Sequence, residues 1–175
     1  DRLHFTASRH TVPSAFKALG LQKKKIKSAL LVGGSRTSFY LAKVLLKHGK
    51  FVKLIEVNEE RAIQLESALD GVSVICGDGT DTDLLTEECI ADFDAAVALT
   101  NIDEENIILS MYAAKQGVRK NVCKINRDPL AKMTAEMLAD CSVVCPKTNT
   151  ASIILRYIRA VENISGDTIK TLYKI

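Results

Sequence analysis

The sequence predicts an α/β fold, a doubly wound parallel sheet with helices on both faces, and three observations predict it. From residue 29 onward, short runs rich in apolar and β-branched residues alternate with longer stretches of helical periodicity. The first run, Leu30-Leu31-Val32, passes through Gly33-Gly34 directly into a helical pattern. Residues 29–32 and 95–99 are apolar at every position, the signature of strands buried on both faces.

Taken in order, the strands are expected at 29–33, 51–57, 72–76, 95–99, 121–125 and 142–144. Helices fall between them near 36–48, 59–69, 81–88, 103–116 and 128–138, where apolar residues recur at three- and four-residue intervals, as in Ile107, Ile108, Met111 and Tyr112. Helix punctuation supports this register. Asn58 followed by Glu59 and Glu60 places a capping side chain and two acids at the positive pole of the second helix. Gly49 and Gly117 fall where the first and fourth helices should stop, and Asp128-Pro129 opens the fifth. Six strands so connected give the order 3-2-1-4-5-6. The following segment, 147–162, carries Ala151, Ile154, Leu155, Ile158 and Val161 on one helical face. With no later strand to cover, that face must pack on the domain or on a partner.

The chain divides into residues 1–27, a sheet domain over 28–146, a helix over 147–166, and 167–175. Residues 1–20 break the alternation and read as a short strand and a helix, the tail of a preceding lobe, and 167–175 reads as the first strand of a following one. The net charge of +3 is local in origin, because residues 1–28 hold seven Lys/Arg against one Asp. Lys23-Lys24-Lys25-Ile26-Lys27 has no interleaved aromatics, so it reads as a solvated linker rather than a nucleic-acid contact. Cys76, Cys89, Cys123, Cys141 and Cys145 are odd in number and form no Cys-x-x-Cys pair, which fits reduced thiols in the cytosol. Cys76 and Cys123 lie in apolar runs and are expected to be buried. No apolar run approaches the roughly 18–20 residues that span a bilayer.

The glycine turn carries the chemistry. In a Rossmann βαβ unit, Gly-x-Gly-x-x-Gly provides the turn, the close approach of pyrophosphate and tight helix packing, and the helix N-terminus supplies N–H groups to phosphate. Here the loop reads Gly33-Gly34-Ser35-Arg36-Thr37-Ser38, with serine in the second and third glycine positions. Ser35 either crowds a pyrophosphate or donates its hydroxyl to it; Ser38 occupies a slot that tolerates a small residue. Glu56 lies 23 residues after Gly33 at the end of the second strand, where an acid accepts from ribose hydroxyls and repels a 2′-phosphate. Gly77-Asp78-Gly79-Thr80 follows the third strand, and its acid could accept from an adenine amino group. Thr100-Asn101-Ile102-Asp103-Glu104-Glu105-Asn106 follows the fourth and can offer a hydroxyl, an amide and helix-opening N–H groups, while Asn101 or Asp103 is expected to cap the next helix.

The ordered phrases VGGSRTS, LIEVNEERA, VICGDGTDTDLL, AVALTNIDEENII and VCKINR resemble the RCK (KTN) nucleotide-binding domains of the Trk/Ktr potassium-uptake regulators, over about residues 28–165. The resemblance implies a cytoplasmic regulatory subunit at the inner face of the membrane that binds NAD or NADH, or alternatively ATP, ADP or AMP. It implies partners too: an integral-membrane potassium transporter subunit, and further copies of the chain in a dimer or ring through the 147–166 helix. Carried over by position, Gly33, Gly34, Ser35, Arg36 and Thr37 face phosphates and Glu56 faces ribose. Asp78, Gly79 and Thr80 then flank adenine, while Thr100, Asn101 and Lys124 line the far side. The opening residues are similar to the end of a preceding unit's small lobe, so the chain resembles the second half of a tandem regulator.

An NAD-dependent oxidoreductase fragment is the competing reading, and it needs an acid or base near the nicotinamide. His4, His10 and His48 are poorly placed for that, and no Ser-His-Asp or Cys-His constellation is present. A DNA-binding Rossmann repressor would need a winged-helix segment that the first 28 residues are too short to supply. The expectation is a switch without catalysis.

Overall fold

The computed structural model describes residues 25–138 and 141–164. The strand and helix expected within residues 1–20, most of the lysine-rich stretch and the strand expected at 167–175 lie outside the described residues. Six parallel strands form one sheet: β1 (Ser28–Val32), β2 (Phe51–Glu56), β3 (Val72–Cys76), β4 (Ala95–Ala98), β5 (Lys120–Lys124) and β6 (Cys141–Val144), ordered β3-β2-β1-β4-β5-β6. The helices are α1 (Arg36–Lys47), α2 (Glu59–Ala68), α3 (Thr82–Glu87), α4 (Asp103–Lys115), α5 (Asp128–Met137) and α6 (Pro146–Ile164). Each agrees with its sequence expectation to within one or two residues.

The sheet holds because its central strands are apolar on both faces. Leu31, Val52, Leu54 and Val97 point to one side and pack with Ala42 of α1 and Leu65 of α2. Leu30, Val32, Ile55, Ala96 and Ala98 point to the other and meet Leu85 of α3 and Leu109 and Ala113 of α4. Leu30, Leu31, Leu54 and Ile55 have no solvent exposure, which stabilises the fold by about 1.5–3 kcal/mol for each side chain. Helices α1 and α4 end in the same paired hydrogen bonds. The N–H groups of Gly49 and Lys50 return to Leu46 and Leu45, and those of Gly117 and Val118 return to Ala114 and Ala113. Each helix therefore stops where the next strand must begin.

One expectation is corrected here, and two features add to the sequence reading. Cys76 is exposed rather than buried, because β3 is an edge strand and Cys76 is its last residue; Cys123, on an inner strand, is buried. A 3₁₀ turn at Ile90–Asp92 precedes β4, entered through Cys89 in left-handed backbone, φ 56°. Its Ile90 plugs the core beneath α4, an apolar role that periodicity over three residues does not reveal. Ile154, Leu155 and Ile158 of α6 remain about half exposed, so of the two coverings expected for that face, the domain itself does not supply one.

Candidate functional site

The chain runs β1, β2, β3 outward on one side and returns to place β4 on the other side of β1, so the loops after β1 and β4 diverge and leave a crevice at the carboxyl ends of the strands. A cleft of about 310 Å³ lies there. It is lined by Gly33, Gly34, Ser35, Glu56, Asp78, Gly79, Thr80, Thr100 and Asn101, brought together from four loops. Arg36 and Thr37, in the first turn of α1, and Lys124 are not among the lining residues.

Gly33 carries the geometry of the first loop. Its φ is +97°, and a Cβ there would stand 2.8 Å from the Thr100 nitrogen and 2.9 Å from the Thr100 Cα. Backbone meets backbone at that point, so neither chain can yield to a side chain. Gly79 is excluded from substitution differently: a Cβ there would come within 2.2 Å of Val32 Cγ1, because the turn after β3 folds over the end of β1.

Hydrogen bonds then fix the loop. The Gly34 N–H donates to Glu56 Oε2, the Asn58 N–H donates to Glu56 Oε1 at 2.8 Å, and Arg61 Nε donates to the Gly34 carbonyl at 2.9 Å. Glu56 thus bridges the glycine turn and the start of α2. Ser35 caps α1, its Oγ accepting from the Ser38 N–H at 3.3 Å, and the two hydroxyl oxygens are 2.9 Å apart. Fully buried Ser38 donates its hydroxyl to the Gly33 carbonyl. The second and third glycine positions are therefore occupied by a hydrogen-bonded serine pair, Ser35 at the cleft wall and Ser38 buried behind it.

Across the cleft, Asp78 Oδ1 accepts from the N–H and hydroxyl of Thr80, at 2.8 and 2.7 Å. The Thr80 N–H, then its hydroxyl, hold the Asp78 carboxyl below the ordinary range against a smaller opposing effect of burial, so it is an anionic acceptor at neutral pH. The loop after β4 is held by Asn106, which has no solvent exposure. Its Oδ1 accepts from the Thr100 N–H at 2.9 Å, and its Nδ2 donates to the carbonyls of Thr100 and Lys124 at 3.1 and 2.9 Å.

Neither Asn101 nor Asp103 caps α4, which begins after Ile102 without a side-chain cap. Asp103 turns the other way, to the start of α5. Its Oδ1 accepts from the Asn126 N–H and Nδ2 at 2.9 and 3.0 Å, and its Oδ2 accepts from the Arg127 N–H and Nε at 3.1 and 3.3 Å. Burial works to raise the Asp103 pKa, but these donors together outweigh it and hold the carboxyl below the ordinary value. Lys124 is buried beneath the same loop with Nζ on the Leu99 carbonyl at 3.2 Å. Burial lowers its pKa, against an opposing contribution from Asp103. Lys124 therefore supports the cleft floor and does not present its charge at the wall.

The sequence places Ile102 and Glu105 within the segment after β4 without giving either side chain a role, and both line the wall. Glu105 is the third residue of a helix whose first turn faces the strand ends, and that position was the available signal. Among the described residues the wall thus carries three carboxylates, Glu56, Asp78 and Glu105, and no Lys or Arg. The N-terminus of α1 supplies the local positive potential. His48 follows the last residue of α1, at the opposite end of the sheet from the cleft. Among the described residues no group of three or more His, Cys, Asp or Glu could hold a metal ion.

A family model described as the TrkA-N domain matches residues 29–146. The Trk system potassium uptake protein TrkA of Vibrio alginolyticus is 32% identical over 170 residues, which are 97% of this chain and 37% of that protein. The chain therefore spans little more than a third of that relative's length. The crystal structure of the TrkA-N domain of inner membrane protein ybaL from Escherichia coli superposes with a TM-score of 0.64 at 20% identity, covering 77% of this chain and 98% of that one. A structure described as the GsuK channel bound to NAD superposes with a TM-score of 0.56 at 18% identity, covering 77% of this chain and 27% of that one. At those identities the two structures establish the fold.

The Asp103 cluster sets a pH dependence. A carboxyl whose folded pKa is depressed contributes stability that is complete above its unfolded value, near 4, and is lost as pH falls through the folded value. Asp103→Asn is expected to lower stability at pH 7 by about 2 kcal/mol in urea unfolding, and to weaken the wild-type decline below pH 4. Equal stabilities and equal acid slopes would contradict the assignment.

Proposed function

The chain belongs to the TrkA-N domain family, and from that premise we propose that it senses a nucleotide, NAD(H) or one of ATP, ADP and AMP, as a regulatory unit of a potassium uptake system. The observation that carries this reading is the convergence on one cleft of the Gly33 turn, the Glu56 carboxylate at the end of β2, and the Asp78–Thr80 turn. Each suits a different part of an adenylate. The free N–H groups at the start of α1 suit phosphate, Glu56 suits ribose hydroxyls, and ionised Asp78 suits an exocyclic amine. The same Glu56 lies where a 2′-phosphate would fall, which disfavours NADP.

The proposed regulation needs no catalysis. A ligand shifts an equilibrium between arrangements by its differential affinity for them. Ribose hydroxyls engaging Glu56 would compete with the Gly34 and Asn58 N–H groups, so occupancy of the cleft is coupled to the geometry of the glycine turn and of α2. In this reading residues 28–146 are the sensing lobe, 147–166 the connecting helix, and 1–27 and 167–175 belong to adjoining lobes of a tandem regulator. The readout is an integral-membrane potassium transporter subunit, which the protein meets from the cytoplasmic face. The similarity to the Trk system potassium uptake protein TrkA of Vibrio alginolyticus supports the potassium-uptake setting. Among the described residues no helix is long and apolar enough to cross a membrane.

Isothermal titration of the chain with NAD+, NADH, ATP, ADP and AMP tests the reading directly. At least one is expected to bind, and Glu56→Gln is expected to weaken it about tenfold through loss of charge-assisted hydrogen bonds to ribose. No heat from any of the five at millimolar ligand would refute it.

The proposed homo-oligomer rests on α6, where Ile153, Ile154, Leu155, Tyr157 and Ile158 are 45–71% exposed. Light scattering should give a dimer or larger species for the wild type and a monomer for the Ile154→Glu, Ile158→Glu double variant. A monomeric wild type would remove α6 from that role.

A further inference from the structure

A pyrophosphate at a glycine turn is held by successive backbone N–H groups of the turn and of the first helical turn, with no side chain at the second glycine position. In this chain several of those donors are already committed. The Gly34 N–H is given to Glu56 Oε2, and the Ser38 N–H to Ser35 Oγ. The hydroxyl protons are committed as well. Ser38 donates to the Gly33 carbonyl, so the 2.9 Å contact between the two hydroxyls is completed by the proton of Ser35. Neither serine has a proton left to offer a ligand without breaking a bond inside the loop. The N–H groups of Ser35, Arg36 and Thr37, orphaned at the start of α1, remain; of these three residues only Ser35 lines the cleft. They are enough for one phosphate.

The charge of the wall points the same way. Glu105 lines the cleft together with Ser35, Glu56 and Asp78 contribute two more carboxylates, and among the described residues no Lys or Arg side chain lines it, the Arg61 guanidinium being engaged on the Gly34 carbonyl. A first phosphate sits against the positive pole of α1; a second must enter among carboxylates with its donors already taken.

We propose that the cleft selects a nucleoside monophosphate, an adenylate of the AMP type, and discriminates against ligands that carry a second phosphate, with Ser35, Ser38 and Glu105 as the specificity-determining residues. The proposal rests on the nucleotide-sensing reading and narrows its ligand class. The serine pair makes the turn a self-satisfied helix cap in place of a pyrophosphate cradle.

Titration calorimetry with AMP, ADP, ATP and NAD+ tests this on the wild type, Ser35→Gly and Glu105→Gln, with thermal melting to confirm that each variant is folded. Glycine at an N-cap costs only a few tenths of a kcal/mol relative to serine, so Ser35→Gly is expected to fold. In the wild type, AMP is expected to bind at least about fivefold more tightly than ADP or NAD+, the worth of one net hydrogen bond. Ser35→Gly frees the Ser38 N–H and opens the second glycine position, so ADP and NAD+ should gain about tenfold relative to AMP. Glu105→Gln should move the same ratio in the same direction. Tighter wild-type binding of ADP or NAD+ than of AMP, or a ratio unmoved in both variants, overturns the monophosphate proposal while leaving nucleotide sensing intact. Absence of binding by all four overturns both.

Discussion

The architecture of the cleft depends on one close approach, where the backbone of Gly33 meets the backbone of Thr100 at the ends of β1 and β4. These strands are neighbours although β2 and β3 separate them in sequence, and their loops leave the sheet in opposite directions. Any side chain at position 33 would push the loops apart. The contact persists because Asn106 holds the N–H and carbonyl of Thr100 from below and also holds Lys124 of β5. The crevice is thus the outcome of sheet topology, one glycine and one buried amide.

Upon that frame the polar groups form two closed circuits. On one side Glu56, Arg61 and the serine pair satisfy the glycine turn from within. On the other, Asp103 ties the start of α4 to the start of α5 through Asn126 and Arg127. Closed circuits keep buried polar groups paired and make the loops stiff, which the proposed sensing role needs if a small ligand is to alter something beyond its own pocket. They also set what the site will accept, since a ligand must either use donors that remain or displace bonds already made.

Much of this was legible in the sequence, for physical reasons. Strand periodicity, the capping Asn58 and the stop glycines are local signals, and every strand and helix that they predicted within the described residues is present. The cleft residues Gly33, Glu56, Asp78 and Thr100 were legible because each ends a strand, and a parallel sheet brings strand ends together. What could not be read were the partners of polar side chains. Asp103 looked like a helix cap and is a bridge to α5; Lys124 looked like a wall residue and is buried beneath the loop. Ser35 was open between crowding a ligand and binding one, and the structure shows its hydroxyl turned to Ser38. Those outcomes depend on three-dimensional neighbours some 20 residues away or on a rotamer, neither of which spacing encodes. Cys76 was misjudged because an apolar run does not say whether its strand lies at the edge.

The central claim is that the ends of β1 to β4 form one adenylate site, and amide chemical-shift mapping tests it most directly. AMP is the suitable probe, because every nucleotide considered contains its adenosine and α-phosphate. Titrated into ¹⁵N-labelled protein, it should shift the amides of Gly33–Arg36, Glu56–Asn58, Asp78–Thr80 and Thr100–Asn101 together, with one apparent affinity. Shifts confined to another surface, or none at saturating ligand, would contradict the account.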